Sequence, residues 1–351
     1  MHGARHLRSW DIVSILSPRC LLKVLGGMLR APLDARYAGS PLAVCWFVTF
    51  SCNARCEFCC KTAELHQGRN EFPPLSISHA RTLLAKIRST VDLLYLSGGE
   101  PLTHPEIEAI LAEARIMKFR SIGMSSNIID LHRRAGVLDY LDILSISIHD
   151  PDVVGHARSL SISEAAAGQV FENLEIVRRH AMTGRLRVII NCVITRQNLD
   201  RVSDMVEFAA KRGFLLEVVP ANDHGGIESG LLADPRYARM IQFLLDLRRS
   251  GRAPHLAGST AYYRRLQTLQ PFRCFPYGIP NIMPDGRLCT PCDVSGQHDL
   301  NILEFADLGS AVRASRNRLG KFPCRQGRCF KAGILERSRL FGVLCRSVSS
   351  G

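Results

Sequence analysis

Three cysteines stand together near the start of the chain. The segment Ser51-Cys52-Asn53-Ala54-Arg55-Cys56-Glu57-Phe58-Cys59 spaces them as Cys-x3-Cys-x2-Cys. Thiolates are soft ligands that suit zinc, copper and iron–sulfur clusters. Three on one short loop can grip three corners of a cubane [4Fe–4S] cluster, leaving the fourth iron open to another ligand. Cys60 is a poor fourth ligand, because adjacent residues point their side chains apart. The alternative is zinc, whose usual signature is paired Cys-x2-Cys units. His66 is the nearest further ligand such a site would have.

A second segment, Gly98-Gly99-Glu100-Pro101, also has chemical potential. Two glycines let a backbone approach a ligand closely. Glu100 can accept a charge-strengthened hydrogen bond from an ammonium group. Further polar residues fall where strands are expected to end: Ser125, Ser126 and Asn127, then Ser147. Asn191 interrupts the apolar run Val188-Ile189-Ile190-Asn191-Cys192-Val193 and needs a buried partner. That partner is either a bound molecule or a neighbouring core group.

The elements that must position these residues are legible as apolar runs and helical periods. Residues 44–50 read as a buried strand, and Ser76 as the N-cap of a helix with Ala80, Leu83, Leu84 and Ile87 on one face. Strands are expected over 91–96, 121–125, 143–148, 188–194 and 215–219. Helices are expected over 105–118, 163–181, 199–212 and 237–249. This alternation argues for a parallel α/β sheet closed part-way round, a partial (β/α)6 TIM-like barrel. In such folds chemistry sits on loops at the carboxyl ends of strands, which is where both segments fall. From about residue 272 the alternation stops and Cys, Pro and Gly dominate. The expected organisation is a basic segment over 1–41, the barrel over 42–260, and a small Cys-rich C-terminal domain with a basic tail over 261–351.

With these residues in place, a resemblance can be stated. Cys-x3-Cys-x2-Cys with Phe58 before the last cysteine, directly after the first strand, resembles the signature of the radical S-adenosylmethionine (radical SAM) superfamily. Gly98-Gly99-Glu100-Pro101 at the end of the second strand is similar to that family's Gly-Gly-Glu-Pro. The resemblance covers roughly residues 42–225. It implies a [4Fe–4S] cluster on Cys52, Cys56 and Cys59, whose open iron is chelated by the amino and carboxylate groups of SAM. Reductive cleavage of SAM then gives a 5′-deoxyadenosyl radical that abstracts hydrogen from an unactivated C–H bond. It also implies SAM contacts from Gly98, Gly99, Glu100, Pro101, Ser126, Asn127, Ser147 and Asn191. Arg158 could pair with the SAM carboxylate or simply be solvated. No residue is assigned to the transfer of substrate hydrogen.

Farther on, Cys274, Gly286, Cys289 and Cys292, with the turn Pro284-Asp285-Gly286, precede Cys324 and Cys329. This resembles the auxiliary-cluster extension called SPASM, or its shorter form, twitch. It implies a second [4Fe–4S] cluster on Cys274, Cys292, Cys324 and Cys329, with Cys289 the alternative to Cys292. An all-thiolate zinc site is the other reading of the same cysteines. Cys345 is expected to be an unligated thiol, and Cys20, Cys45 and Cys192 small buried hydrophobes.

The chain has 351 residues and a net charge of +13, with 46% hydrophobic residues, enough for a large core. The charge lies at the ends. Residues 1–41 hold six Lys/Arg against two Asp, and residues 310–351 hold ten Lys/Arg against one Glu. The body between them is neutral, which argues against a nucleic-acid partner. With Arg19–Arg30 as a helix, Arg19, Lys23 and Arg30 fall within about 40° of one another and apolar residues fill the rest. Such a helix suits either a membrane surface or docking on the barrel. Apolar stretches are too short to span a bilayer, and no secretory leader is evident. The expected location is therefore cytoplasmic, with peripheral contact at the inner membrane face.

The leading expectation is a radical SAM enzyme acting on a small-molecule or lipid-like biosynthetic intermediate, reduced by a donor such as a flavodoxin or ferredoxin. The runner-up is a maturase of a ribosomally made peptide, although about 40 residues before the first strand are few for a peptide-clasping domain. A non-catalytic zinc-binding adaptor would require the Gly-Gly-Glu-Pro segment and both cysteine sets to coincide by chance.

Overall fold

The structure, a computed structural model, describes residues 41–59, 71–223, 226–270, 277–290 and 297–319. Six strands run parallel in chain order: β1 (Val44–Thr49), β2 (Leu93–Gly98), β3 (Ser121–Ser126), β4 (Ile143–Ser147), β5 (Arg187–Ile194) and β6 (Leu215–Pro220). Helices α1 (Ile77–Arg88), α2 (Ile107–Ile116), α3 (Val153–Leu160), α4 (Glu164–Ala181) and α5 (Val202–Arg212) connect them. Between β3 and β4 the crossover is made by two 3-10 turns, Leu131–Arg133 and Ala135–Tyr140. This is the partial (β/α)6 barrel that the strand–helix alternation predicts.

Alternation along each strand separates two environments. On β1, Val44, Trp46 and Val48 are fully buried under the helices, in one core with Leu83, Leu84 and Ile87 of α1. Cys45, Phe47 and Thr49 therefore face the barrel interior. Neighbouring strands keep this phase: Cys45 pairs with Tyr95, Phe47 with Ser97, Ser125 with Ser145, and Ser147 with Asn191. The interior wall thus reads hydroxyl and amide where the outer layer reads Leu, Ile and Val.

Local signals fix the helix ends. Ser163 Oγ accepts from Ala166 N (3.2 Å) at the start of α4, and Asp152 Oδ1 from Gly155 N (2.8 Å) at the start of α3. Gly213, at φ +70°, ends α5. The helix α3, which the apolar periods do not mark, carries Arg158.

After β6 come β7 (Asn222–Asp223), β8 (Gly226–Ile227), α6 (Ser229–Ala233), α7 (Pro235–Ser250) and α8 (Thr260–Thr268). Then β9 (Asn281–Ile282) adds in parallel to the free side of β1, and β10 (Arg287–Thr290) and β11 (Gln297–Asn301) continue antiparallel, giving nine strands in one sheet. In α9 (Leu308–Leu319), Leu308, Ala311 and Val312 are buried in the same core as the barrel. Among the described residues, then, 277–319 extend the main sheet. The basic segment 1–40, the tail from 320, and Cys20, Cys60, His66, Cys274, Cys292, Cys324, Cys329 and Cys345 lie outside the described residues.

Candidate active site at the carboxyl ends of β1 to β5

The cysteine loop follows β1 directly. Cys59 N donates to Cys56 O (3.1 Å), closing a turn, and Ala54 N lies 3.5 Å from Cys52 Sγ. Cys52, Cys56 and Cys59 are each half-buried. Burial pushes the Cys56 thiol up to about 12, and the neighbouring Cys59 and Cys52 push the same way. Three thiolates this close repel one another, so a cationic iron cluster that takes all three relieves the repulsion. Among the described residues no three His, Cys, Asp or Glu side chains form a group that could hold a single metal ion. A cubane takes its thiolates at separate corners, so three thiols spread along one loop fit such a cluster.

The loop is tied down on both sides. Arg55 N donates to Leu160 O (3.0 Å) at the end of α3. The Phe58 ring meets the His149 ring edge-on, with centroids 4.7 Å apart. His149 is held by Val193 N, which donates to its Nδ1 (3.0 Å), and burial lowers its pKa to about 3, so it is neutral. On the other side Asn53 Nδ2 donates to Asp130 Oδ2 (2.8 Å), and Asn53 Oδ1 accepts from Asn127 Nδ2 (2.7 Å).

Gly98 and Gly99 have a packing role in addition to the ligand approach the sequence suggests. A Cβ on Gly98 would lie 2.2 Å from Thr49 O, and one on Gly99 2.2 Å from Ser51 O. The space beside them is filled by the chain's own backbone, and Gly99 N donates to Thr49 O and Glu100 N to Ser51 O (both 2.8 Å). The glycines therefore press the end of β2 onto the start of the cysteine loop.

Glu100 is buried, with 2% of its surface exposed. Its Oε1 accepts from Ser126 Oγ (2.7 Å) and Leu102 N (3.0 Å), and its Oε2 from Asn127 N (2.7 Å). Desolvation raises its pKa from 4.5 to about 7 against these hydrogen bonds. A carboxylate offers about four lone-pair sites, so Oε2 has room for a cationic donor. Pro101 opens the 3-10 turn Pro101–Thr103 that Glu100 caps. Ser126 and Asn127, buried at the end of β3, thus meet Glu100.

Ser147 at the end of β4 is the register partner of Asn191 within β5, and Glu217 of β6 continues their row. Asn191 Oδ1 is buried and has no hydrogen-bond partner among the described residues, so the polar break in that strand is a buried acceptor awaiting a donor. One layer lower, Ser97 Oγ and Ser125 Oγ lie 2.9 Å apart. The Tyr95 phenol reaches Ser145 and Ser125, and burial pushes it above its ordinary range. Gly123 makes room for that ring, since a Cβ there would lie 2.6 Å from Tyr95 Cδ2. Arg158 is exposed.

Cys289 lies buried on the interior face of β10, packed with Phe47, Phe50, Phe72 and Met283, and Cys45, Cys52 and Cys59 lean on that group. Cys192, expected as a small hydrophobe, is buried beside His149 O. The sequence reading missed Asn53, Asp130 and Tyr95. Asn53 had one signal, its place inside the cysteine loop; Tyr95 had only its alternation phase on β2.

A partial parallel barrel with a three-thiol loop after β1 and a Gly-Gly-Glu-Pro bracket after β2 defines a class of fold and site. Comparison with known proteins points the same way. Residues 46–209 match the radical SAM superfamily, whose members bind a [4Fe–4S] cluster and SAM. The chain is 25% identical over 240 residues to the AdoMet-dependent heme synthase of Nitratidesulfovibrio vulgaris, covering 64% of this chain and 62% of that protein. It therefore spans less than two thirds of that relative's length. Its fold is similar to that of Streptococcus suis SuiB bound to the precursor peptide SuiA (TM-score 0.60, 16% identity, 85% of this chain and 71% of that one). It is also similar to anSMEcpe with bound AdoMet and Cp18Cys peptide (TM-score 0.56, 13% identity, 88% and 100%). Among the described residues no helix is long and apolar enough to cross a membrane.

Proposed function

We propose that this chain is a radical SAM enzyme that holds its cluster on Cys52, Cys56 and Cys59 and its SAM against Gly98–Pro101, Ser126, Asn127, Ser147 and Asn191. The observation that carries this reading is the bracing of the three-thiol loop against Glu100, whose backbone N donates to Ser51 O and whose carboxyl is linked to Asn53 through Asn127. When bound, cluster and SAM together supply a 5′-deoxyadenosyl radical that abstracts hydrogen from an unactivated C–H bond. The chain's own groups bind and orient. The thiolates take three corners of the cluster, and Glu100 Oε2 accepts from the SAM ammonium. Asn191 Oδ1 and Ser147 Oγ offer an acceptor and a hydroxyl to the rest of SAM. Phe47, Phe50 and Phe72 exclude water from behind the loop.

The substrate in this reading is a small-molecule or lipid-like biosynthetic intermediate. The similarity to a heme synthase supports it, since heme is a small molecule. A peptide substrate is the second reading, favoured by two fold neighbours whose structures contain peptides. The reading extends to a second [4Fe–4S] cluster on Cys274, Cys292 (or Cys289), Cys324 and Cys329. It also includes a flavodoxin or ferredoxin donor and contact of the basic ends with the inner membrane face.

The test is anaerobic reconstitution of the full chain with iron and sulfide, then SAM and a reductant. The expected outcome is a brown protein that forms 5′-deoxyadenosine, with none formed by Cys56→Ala. Colourless protein carrying stoichiometric zinc contradicts the reading.

A further inference from the structure

The thiol loop is gripped from outside by Glu100, Asn127, Asp130 and Leu160. The most specific grip is the Asn53 amide, one residue after Cys52. Its oxygen accepts from Asn127 Nδ2 at 2.7 Å and its nitrogen donates to Asp130 Oδ2 at 2.8 Å. Both amide ends are used, which fixes the orientation of the side chain.

The surface that Asn53 grips is itself immobilised. Asn127 N donates to Glu100 Oε2, and Asn127 Oδ1 accepts from Ile129 N (3.1 Å). Ile128 sits at φ +53° with its side chain fully buried, a left-handed conformation that a β-branched residue adopts only when its surroundings hold it there. Those surroundings come from α4. Asn173 of α4, fully buried, donates to Ile128 O (2.7 Å) and Ile129 O (3.0 Å). Residues 127–130 therefore form a rigid shelf, anchored below by Asn173 and in front by Glu100.

We propose that Asn53 is a positioning residue. It fixes the Cys52 end of the thiol loop on this shelf, and so sets where the open corner of the cluster stands relative to Glu100 and the methionine part of SAM. This rests on the proposal that Cys52, Cys56 and Cys59 hold the cluster. Partners one layer behind metal ligands commonly change affinity or activity by roughly 10- to 100-fold when removed.

The experiment uses the full chain, reconstituted anaerobically and reduced. It follows the change in the cluster's electron paramagnetic resonance spectrum as SAM is titrated. Four proteins are compared: wild type, Asn53→Ala, Asn53→Asp, and the double variant Asn53→Asp with Asp130→Asn. In the double variant both hydrogen bonds can re-form at unchanged net charge: the one between residues 53 and 130 with its direction reversed, the one from Asn127 Nδ2 with its direction kept. In Asn53→Asp alone two carboxylates face each other. Iron and sulfide content should match wild type throughout. The SAM concentration at half-change should rise by roughly tenfold in Asn53→Ala and at least as far in Asn53→Asp, and should return toward wild type in the double variant. A wild-type half-point in both single variants overturns the proposal, as does a double variant no better than Asn53→Asp. Single variants that lose the cluster outright, with the double variant regaining it, support it. A wild-type protein that takes up no iron–sulfur cluster overturns both this proposal and the reading beneath it; a wild type that does, with variants behaving alike, overturns this one alone.

Discussion

The thiol loop after β1 and the cysteine-bearing strand β10 lean on the same aromatic group, Phe47, Phe50, Phe72 and Met283, yet they are held in opposite ways. Cys52, Cys56 and Cys59 are half-buried on a loop gripped by groups far away in sequence: the side chains of Asn127 and Asp130, the His149 ring and the Leu160 backbone carbonyl. Cys289 sits in a β-ladder opposite Asn281 with none of its surface exposed. A ladder fixes a side chain through backbone bonds that almost any residue can make. A loop held by side-chain bonds is only as well placed as those few partners. Precision at the first site therefore depends on particular residues, whereas at the second it depends on packing.

The largest consequence should appear at Glu100. Replacing it with Ala strands Asn127 N, Leu102 N and Ser126 Oγ in a buried site, each costing about 1–3 kcal/mol if no water reaches it. Glu100→Ala should therefore lose at least about 3 kcal/mol in denaturant unfolding and bind SAM poorly. The charge on Glu100 gives a second, separable effect. Burial raises its pKa from 4.5 to about 7, so between those values the folded protein keeps a proton that the unfolded chain has lost. Glu100 by itself then makes stability fall as pH rises through that window, by up to about 1.4 kcal/mol per pH unit, while the buried neutral His149 and His156, lowered to about 3 and about 4, act in the opposite sense. Stability of Glu100→Gln should therefore rise more steeply with pH there than that of wild type. Parallel pH profiles for the two proteins would break the account of Glu100 as a desolvated bracket.

At Cys289 the effect should be smallest. As a packing residue, Cys289→Ala should cost about 1 kcal/mol and leave iron content and 5′-deoxyadenosine formation at wild-type levels. Loss of about half the iron would instead make Cys289, in place of Cys292, a ligand of the second cluster, and the contrast between the two regions would disappear.

Much of the barrel was legible because its signals are local. Apolar runs marked β1 to β6 to within two residues at each end, and Ser163 marked the start of α4. The helix α3 was missed because it is short, eight residues, and is defined by an Asp152 cap and a left-handed Ser161 rather than by a long apolar period. A two-residue strand such as β9 has no period at all; it exists because Cys45 and Trp46 present a free edge. At the site, the cysteines and the Gly-Gly-Glu-Pro segment announced themselves by type and spacing. What they do for one another did not. The pairing of Asn53 with Asn127, 74 residues on, and the pressing of both glycines against Thr49 and Ser51 arise only when β1, β2 and β3 lie side by side.

The central claim is that one corner of a cluster on Cys52, Cys56 and Cys59 stays open and takes the methionine end of SAM. Electron–nuclear double resonance on the reduced full chain tests it directly, using SAM labelled with nitrogen-15 at the amino group and oxygen-17 at the carboxylate. The account predicts hyperfine coupling of both labels to the cluster, lost in Cys56→Ala. A reduced cluster that shows no coupling to either label in the presence of saturating SAM would contradict it.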